Sequence, residues 1–183
     1  MPVNIDDREI IQLTRNEHSK EEGFVLLVKK YQQRLYWHIR RLVVDHDDAD
    51  DVMQNTFIKI WHGLAKFREE SQLYTWLYRI ATNEALGFIK KAQHKKSIPF
   101  EDGGPELSAL IDNSPLISGD EISRKLQRAV LMLPAKQRLV FNMKYFDEMK
   151  YEEISAVLGT SVGALKASYH LAIKKIEKQV LVD

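Results

Sequence analysis

A single interruption constrains this chain more than any other feature. Residues 97–120 hold three of its five prolines (Pro99, Pro105, Pro115), three of its eight glycines (Gly103, Gly104, Gly119), five carboxylates and no Lys or Arg. On either side, apolar residues recur with the period of an amphipathic helix, and no stretch alternates as a strand does. This pattern predicts an all-α protein. Two small helical domains, 1–96 and 121–183, are joined by an acidic flexible linker, 97–120. Fully extended, the linker reaches roughly 80 Å at about 3.3 Å per residue; as a relaxed coil it averages about 27 Å.

Charge follows the same division. Across the 183 residues the formal net charge is +1, which alone does not suggest a nucleic-acid binder. Residues 1–96 carry 16 cations against 14 anions, and residues 121–183 carry 11 against 7. Two mildly basic blocks therefore flank an acidic bridge. The absence of cysteine excludes a disulfide scaffold, a zinc finger and a thiol nucleophile, and suits a reducing compartment. No apolar run approaches a membrane span, and Met1–Asp7 lacks the basic and apolar regions of a signal peptide. A cytoplasmic location, with no membrane insertion of its own, is expected.

In the first block a short apolar pattern (Ile10, Ile11, Leu13) predicts a leading helix. Ser19 followed by Glu22 reads as a capping box. The next helix carries Phe24, Leu27, Val28, Tyr31, Leu35, His38, Ile39 and Leu42 inward, with Lys29, Lys30, Arg34, Arg40 and Arg41 on a basic outer side. The acidic run Asp45–Asp51 lacks the glycine and distal Glu of an EF-hand loop, so it is read as a helix start whose carboxylates cap free N–H groups. Val52, Phe57, Ile60, Trp61 and Leu64 then mark a third helix. From Leu73 a fourth buries Leu73, Trp76, Leu77, Ile80, Ala81 and Phe88. Tyr74, Tyr78 and Thr82 form a second stripe outside that buried face, beside Arg79, Asn83 and Lys90. Aromatics, edge-bonding groups and cations together suit stacking on bases and neutralising phosphates; a core helix with a solvated back is the plainer alternative.

The second block ends in the most specific local signal. A short helix (Ile154, Val157, Leu158 inward) is stopped by Gly159, and Thr160 or Ser161 caps a second helix whose inward residues are Leu165, Tyr169, Ala172 and Ile176. Lys166, Ala167, His170, Lys174 and Lys175 face outward, as expected of a recognition helix in a helix-turn-helix. The alternative is an ordinary pair of packed helices. Gly159-Thr-Ser-Val-Gly163 also fits the nucleophile elbow G-x-S-x-G, but that motif needs a strand before it, and here a helix precedes it. The six histidines form no H-E-x-x-H, and no P-loop is present. No active site is visible, so a non-enzymatic protein without cofactor or metal is expected.

The order of these parts resembles the extracytoplasmic-function (ECF) group of bacterial RNA polymerase sigma factors. The resemblance runs from about Glu21 to Lys178. It rests on Asp48-Ala-Asp-Asp-Val-Met-Gln-Asn-Thr-Phe-Ile-Lys-Ile-Trp61, Tyr74-Thr-Trp-Leu-Tyr-Arg-Ile-Ala-Thr-Asn83, Leu133-Pro-Ala-Lys-Gln-Arg-Leu-Val-Phe141, and Tyr151-Glu-Glu-Ile with Gly159-Thr-Ser-Val-Gly163.

The resemblance implies a transcription initiation factor that binds core RNA polymerase and directs promoter recognition and DNA melting. Asp48, Asp51, Gln54 and Asn55 would meet the polymerase clamp. Phe67, Tyr74, Tyr78, Arg79, Asn83, Lys90 and Lys91 would take the non-template single strand at the downstream element, with Phe67 and Asn83 at a flipped base. Ser161, Lys166, Ala167, His170, Lys174 and Lys175 would read duplex DNA at the upstream element. Two elements roughly two helical turns apart are separated by about 70 Å, which a stretched linker spans and a relaxed one does not. The polymerase would hold it stretched in the RNA exit path, its acidity imitating RNA. An anti-sigma partner is common in the group. Many relatives carry arginines where this chain has Ser168, Leu171 and Ile173, so fewer DNA contacts are expected there. The competing reading is a stand-alone helix-turn-helix regulator binding a palindrome as a dimer.

Overall fold

The computed structural model describes residues 5–96 and 121–182. Expectations for the linker lie outside the described residues. Those residues form helices without strands: α1 (Asp7–Arg15), α2 (Lys20–Val43), α3 (His46–Leu64), α4 (Leu73–Lys96), α5 (Glu121–Leu131), α6 (Ala135–Phe141), a π-helical turn (Asn142–Phe146), α7 (Tyr151–Leu158) and α8 (Val162–Val182).

Local chemistry sets most of the boundaries. Asp6 caps α1 by accepting from the Arg8 amide at 3.1 Å, and Asp45 caps α3 by accepting from the Asp48 amide at 3.1 Å. The acidic run is thus a helix start, as its sequence predicts. Ser19 departs from expectation. Its hydroxyl donates to the Leu13 carbonyl at 2.9 Å and makes no side-chain cap on α2, so the capping box does not form. The reason is proximity: α1 packs so closely on α2 that a Cβ built at Gly23 would stand 2.8 Å from the Leu13 Cβ. Pro134 sits one residue before α6, as its N-cap. Gly159 ends α7 in the left-handed region, at φ 66° and ψ 24°, as its place in the turn predicts.

The first four helices pack around Leu27, Leu35, Ile39, Ile60, Leu73 and Leu77, all fully buried or nearly so. The second half has a core of its own at Ala129, Val130, Leu133, Phe141, Ala172 and Ile176. Yet Leu139, Val140, Met143, Met149, Ile154, Val157 and Leu165 join the first cluster. In this closed arrangement α7 lies on α4, and the π-helical turn lies on α2.

The packing overturns two expectations. Tyr78 and Thr82, read as a stripe outside the buried face of α4, are 2% and 1% exposed: the Tyr78 ring lies against His38 of α2, and Thr82 Oγ1 is hydrogen-bonded to the same histidine. Arg40, placed by its spacing on the outer side of α2, is also buried.

Candidate nucleic-acid and polymerase interfaces

Three surfaces carry the residues singled out from the sequence, and a fourth joins the two halves of the chain. On α3, Asp51, Gln54 and Asn55 are exposed, and Asp48 is half-buried near the capped N-terminus. Ile58, one turn further along, is 49% exposed. Sequence reasoning passed over it. Its signal was an apolar side chain standing off the Val52–Ile60–Leu64 stripe.

The α4 surface is split between open and covered residues. Asn83, Lys90 and Lys91 are exposed, and so is Leu86 between them. Phe67 is 9% exposed, its ring tilted against Trp76 at 5.1 Å between centroids. Tyr74 is half-buried, edge-on to Tyr78 at 5.8 Å. Burial, reinforced by a hydrogen bond to the Glu153 carboxylate, raises the Tyr74 hydroxyl above its ordinary pKa. Tyr78 lies against the His38 ring at 4.9 Å; burial, then the Asp147 charge, raise its hydroxyl as well. Arg79 is exposed at its edge but donates through Nη2 to the Ala156 carbonyl of α7.

The α8 surface is open. Ser161, Lys166, Ala167, His170, Lys174 and Lys175 are all exposed, and Leu171 stands among them at 49% exposure. Ser161 accepts a hydrogen bond from the Ala164 amide at 3.3 Å, so its hydroxyl caps a helix. With α7 rather than a strand before it, it has none of the setting of a nucleophile elbow. Lys175 also borders a groove of about 470 Å³ between α5 and α8, together with Lys125, Arg128 and Lys178. The cationic surface therefore extends beyond the helix-turn-helix.

The fourth surface joins the halves, and sequence reasoning missed it. His38, fully buried, places Nδ1 2.7 Å from Asp147 Oδ2 and Nε2 2.8 Å from Thr82 Oγ1. A carboxylate only accepts, so Nδ1 carries the proton. Arg41 Nη1 donates to Asp147 Oδ1 at 3.0 Å, and its guanidinium lies 4.5 Å from the centre of the Phe146 ring. The π-helical turn aims Asp147 here: its amide bonds back to the Asn142 carbonyl at 3.1 Å. Beside this network a cavity of about 290 Å³ remains, lined by Trp37, Arg41, Val130, Leu131, Asn142 and Phe146. Among the described residues, no group of three or more His, Asp or Glu could hold a metal ion. Nor is any described helix long and apolar enough to cross a membrane.

Two family models decide what these surfaces belong to. Sigma-70 region 2 matches residues 27–95, and Sigma-70 region 4 matches residues 123–176, together about two-thirds of the chain. The chain belongs to the ECF group of the sigma-70 family. The Escherichia coli K12 ECF RNA polymerase sigma-E factor is 29% identical over 189 residues, covering 98% of this chain and 97% of that protein. The Pseudomonas aeruginosa RNA polymerase sigma-H factor is 29% identical over 180 residues, covering 94% and 92%. Among solved structures, CnrH in complex with the cytosolic domain of CnrY matches at a TM-score of 0.71 and 22% identity, over 97% of this chain and 98% of that one. The sigma factor RpoE in complex with the anti-sigma factor NepR, from Bartonella quintana, matches at 0.69 and 23%, over 88% and 99%. At these identities the structures establish the fold. In this ECF sigma factor the region 2 match takes in α4 and the Asp48–Asn55 face, and the region 4 match takes in the helix-turn-helix.

Proposed function

We propose that this sigma factor works as a transcription initiation subunit with three working faces. Asp48, Asp51, Gln54 and Asn55 on α3, with Ile58 as an apolar anchor, dock on core RNA polymerase. Asn83, Lys90 and Lys91, together with Phe67, Tyr74, Tyr78 and Arg79, take the melted non-template strand. Ser161, Lys166, Ala167, His170, Lys174 and Lys175 read the upstream duplex. The observation that carries this reading is the pairing of a region 2 match with a region 4 match in one chain, each on a helical module with exposed cations.

Its chemistry is binding and strand separation. Flipping a base from the stack costs a few kcal/mol, which stacking and edge hydrogen bonds offset. The mild charge of each block predicts weak binding of the free chain to duplex DNA, with polymerase supplying the rest. One structural neighbour is bound to the cytosolic domain of CnrY and the other to the anti-sigma factor NepR. An anti-sigma protein as a partner of this chain belongs to the same proposal. A stand-alone dimeric regulator would account for α7 and α8 but leave the α1–α4 module without a task.

Co-purification with core RNA polymerase, followed by run-off transcription from genomic fragments, tests the reading. Stoichiometric binding and new start sites are expected. A chain that ignores polymerase yet binds a palindrome tightly as a dimer would overturn it.

A further inference from the structure

Leu171 is an apolar residue on a face otherwise suited to DNA. It is 49% exposed and belongs to neither of the two apolar cores. A lone exposed leucine is ordinary on a protein surface; the position of this one sets it apart. Ala167, Leu171, Lys174 and Lys178 recur at steps of four, three and four residues, so they form one ridge along α8, and all four are exposed. His170, the next residue back, is exposed as well. The ridge is apolar in its first half and cationic in its second. We infer that Leu171 is a specificity-determining residue that reads the C5 methyl group of a thymine in the upstream duplex. The inference rests on the reading of α8 given above and adds the base that one of its residues selects.

The chemistry of the base edges narrows the choice to one base. In the major groove guanine, cytosine and adenine present hydrogen-bond donors and acceptors, whereas thymine also presents a methyl group. A leucine side chain neither donates nor accepts. Laid on a donor or an acceptor, it displaces water and returns no hydrogen bond. Laid on a methyl group, it buries apolar surface on both partners. The same side chain therefore favours thymine and disfavours the other three bases. Fewer polar contacts are expected at Leu171, and the contact that remains open to it is apolar.

Its place on the helix supports that contact. A helix-turn-helix inserts the start of its second helix into the groove. Side chains on a helix lean toward its N-terminus, so Leu171 covers the turn that precedes it, toward the inserted end. Ala167, one turn earlier on the ridge, is too short to fill that space itself. One turn later, Lys174 and Lys175 supply cations for the phosphates at the rim of the groove. The order along α8 is thus apolar contact first and phosphate contact second, which matches the passage from base edges to backbone.

The test uses the holoenzyme on a promoter from which it starts in run-off transcription. Each thymine of the upstream element, on either strand, is replaced in turn by deoxyuridine, which pairs as thymine does and lacks only the C5 methyl group. Filter binding gives the ratio of the two affinities. Burial of one such carbon is worth about fourfold in binding, so deoxyuridine at one position should weaken the wild-type holoenzyme by about that factor. In Leu171→Ala the same replacement should have no effect. Leu171→Met, which keeps an apolar reach, should retain the penalty. Leu171 lies outside both cores, so neither variant removes core packing, and circular dichroism checks that helicity is kept. The inference is overturned if no thymine shows a penalty, or if Leu171→Ala leaves every penalty in place. Weaker assembly of Leu171→Ala with core polymerase, at an unchanged thymine-to-uracil ratio, would also overturn it and make the leucine a polymerase contact. Failure of the proposed function looks different: no polymerase binding and no start sites on any fragment remove the reading of α8 and the inference together.

Discussion

Asp147 and His38, 109 residues apart in sequence, meet at 2.7 Å in a site from which both side chains are almost wholly hidden. The pair ties the first helical module to the second, and each residue has a further partner, Thr82 for the histidine and Arg41 for the aspartate. Such an arrangement is stable only when complete, because a buried polar group left alone retains its full desolvation cost.

Replacing His38 is therefore predicted to be expensive. His38→Ala leaves a cavity and strips both Thr82 and Asp147 of a partner. A loss of about 3 kcal/mol is expected, within the range for breaking a buried pair. Urea denaturation followed at 222 nm by circular dichroism measures it. A loss below about 1 kcal/mol would mean that the network contributes little.

Two tyrosines predict how stability varies at alkaline pH. Burial first, then the bond to Asp7 at 2.7 Å, raises the Tyr31 hydroxyl; burial first, then the Asp147 charge, raises that of Tyr78. In the unfolded chain each ionises near pH 10. The folded chain keeps these protons longer, so their contribution is complete below about pH 10 and falls as pH rises through the higher folded values. Urea midpoints should stay level to about pH 9 and then decline. Combining Tyr31→Phe with Tyr78→Phe should flatten that decline, and an unaltered slope would refute the assignment.

How far sequence could anticipate this structure depended on the range of the interaction. Local signals were legible. Asp45 as a cap, Gly159 in the left-handed region and the exposed Lys166–Lys175 face each follow from residues a few positions apart. The Ser19 capping box failed because a carbonyl six residues back, Leu13, competed for the hydroxyl. The burial of Tyr78 and Thr82 was illegible for a stronger reason. Helical periodicity shows which residues share a face but not whether another helix will cover it. An aromatic and hydroxyl stripe suits either a nucleic acid or a packed helix. Deciding between them required contacts distant in sequence, such as Thr82 with His38, 44 residues away.

Gly23 gives a test of the first module alone. A methyl group there would meet Leu13 Cβ and Thr14 Cγ2, each at 2.8 Å, and the Thr14 amide nitrogen at 2.9 Å. Backbone cannot yield as a flexible side chain does, so α1 must shift away from α2. Gly23→Ala gains helix propensity of about 1 kcal/mol but incurs overpacking of about 1–3 kcal/mol. Net destabilisation is expected, with faster amide exchange confined to α1. Stabilisation by the substitution would contradict the close approach.

The last prediction separates reading from gripping on α8. His170 and Lys174 are four residues apart on one exposed face, so both can reach the same duplex. A lysine gripping phosphate contributes equally to every sequence through counterion release. An imidazole at a base edge contributes only where the correct base is present. Lys174→Ala should weaken holoenzyme binding to all promoters alike and lower the salt slope by about 1. His170→Ala should leave that slope unchanged and weaken only promoters with the preferred base, by about 1–3 kcal/mol. Filter binding of the holoenzyme to native and base-substituted promoters over a range of salt concentrations measures both quantities. If His170→Ala lowered the slope and treated all promoters alike, the histidine would be a phosphate contact. Base reading would then fall to the residues nearer the start of α8, Ser161, Lys166 and Ala167, where a helix-turn-helix enters the groove.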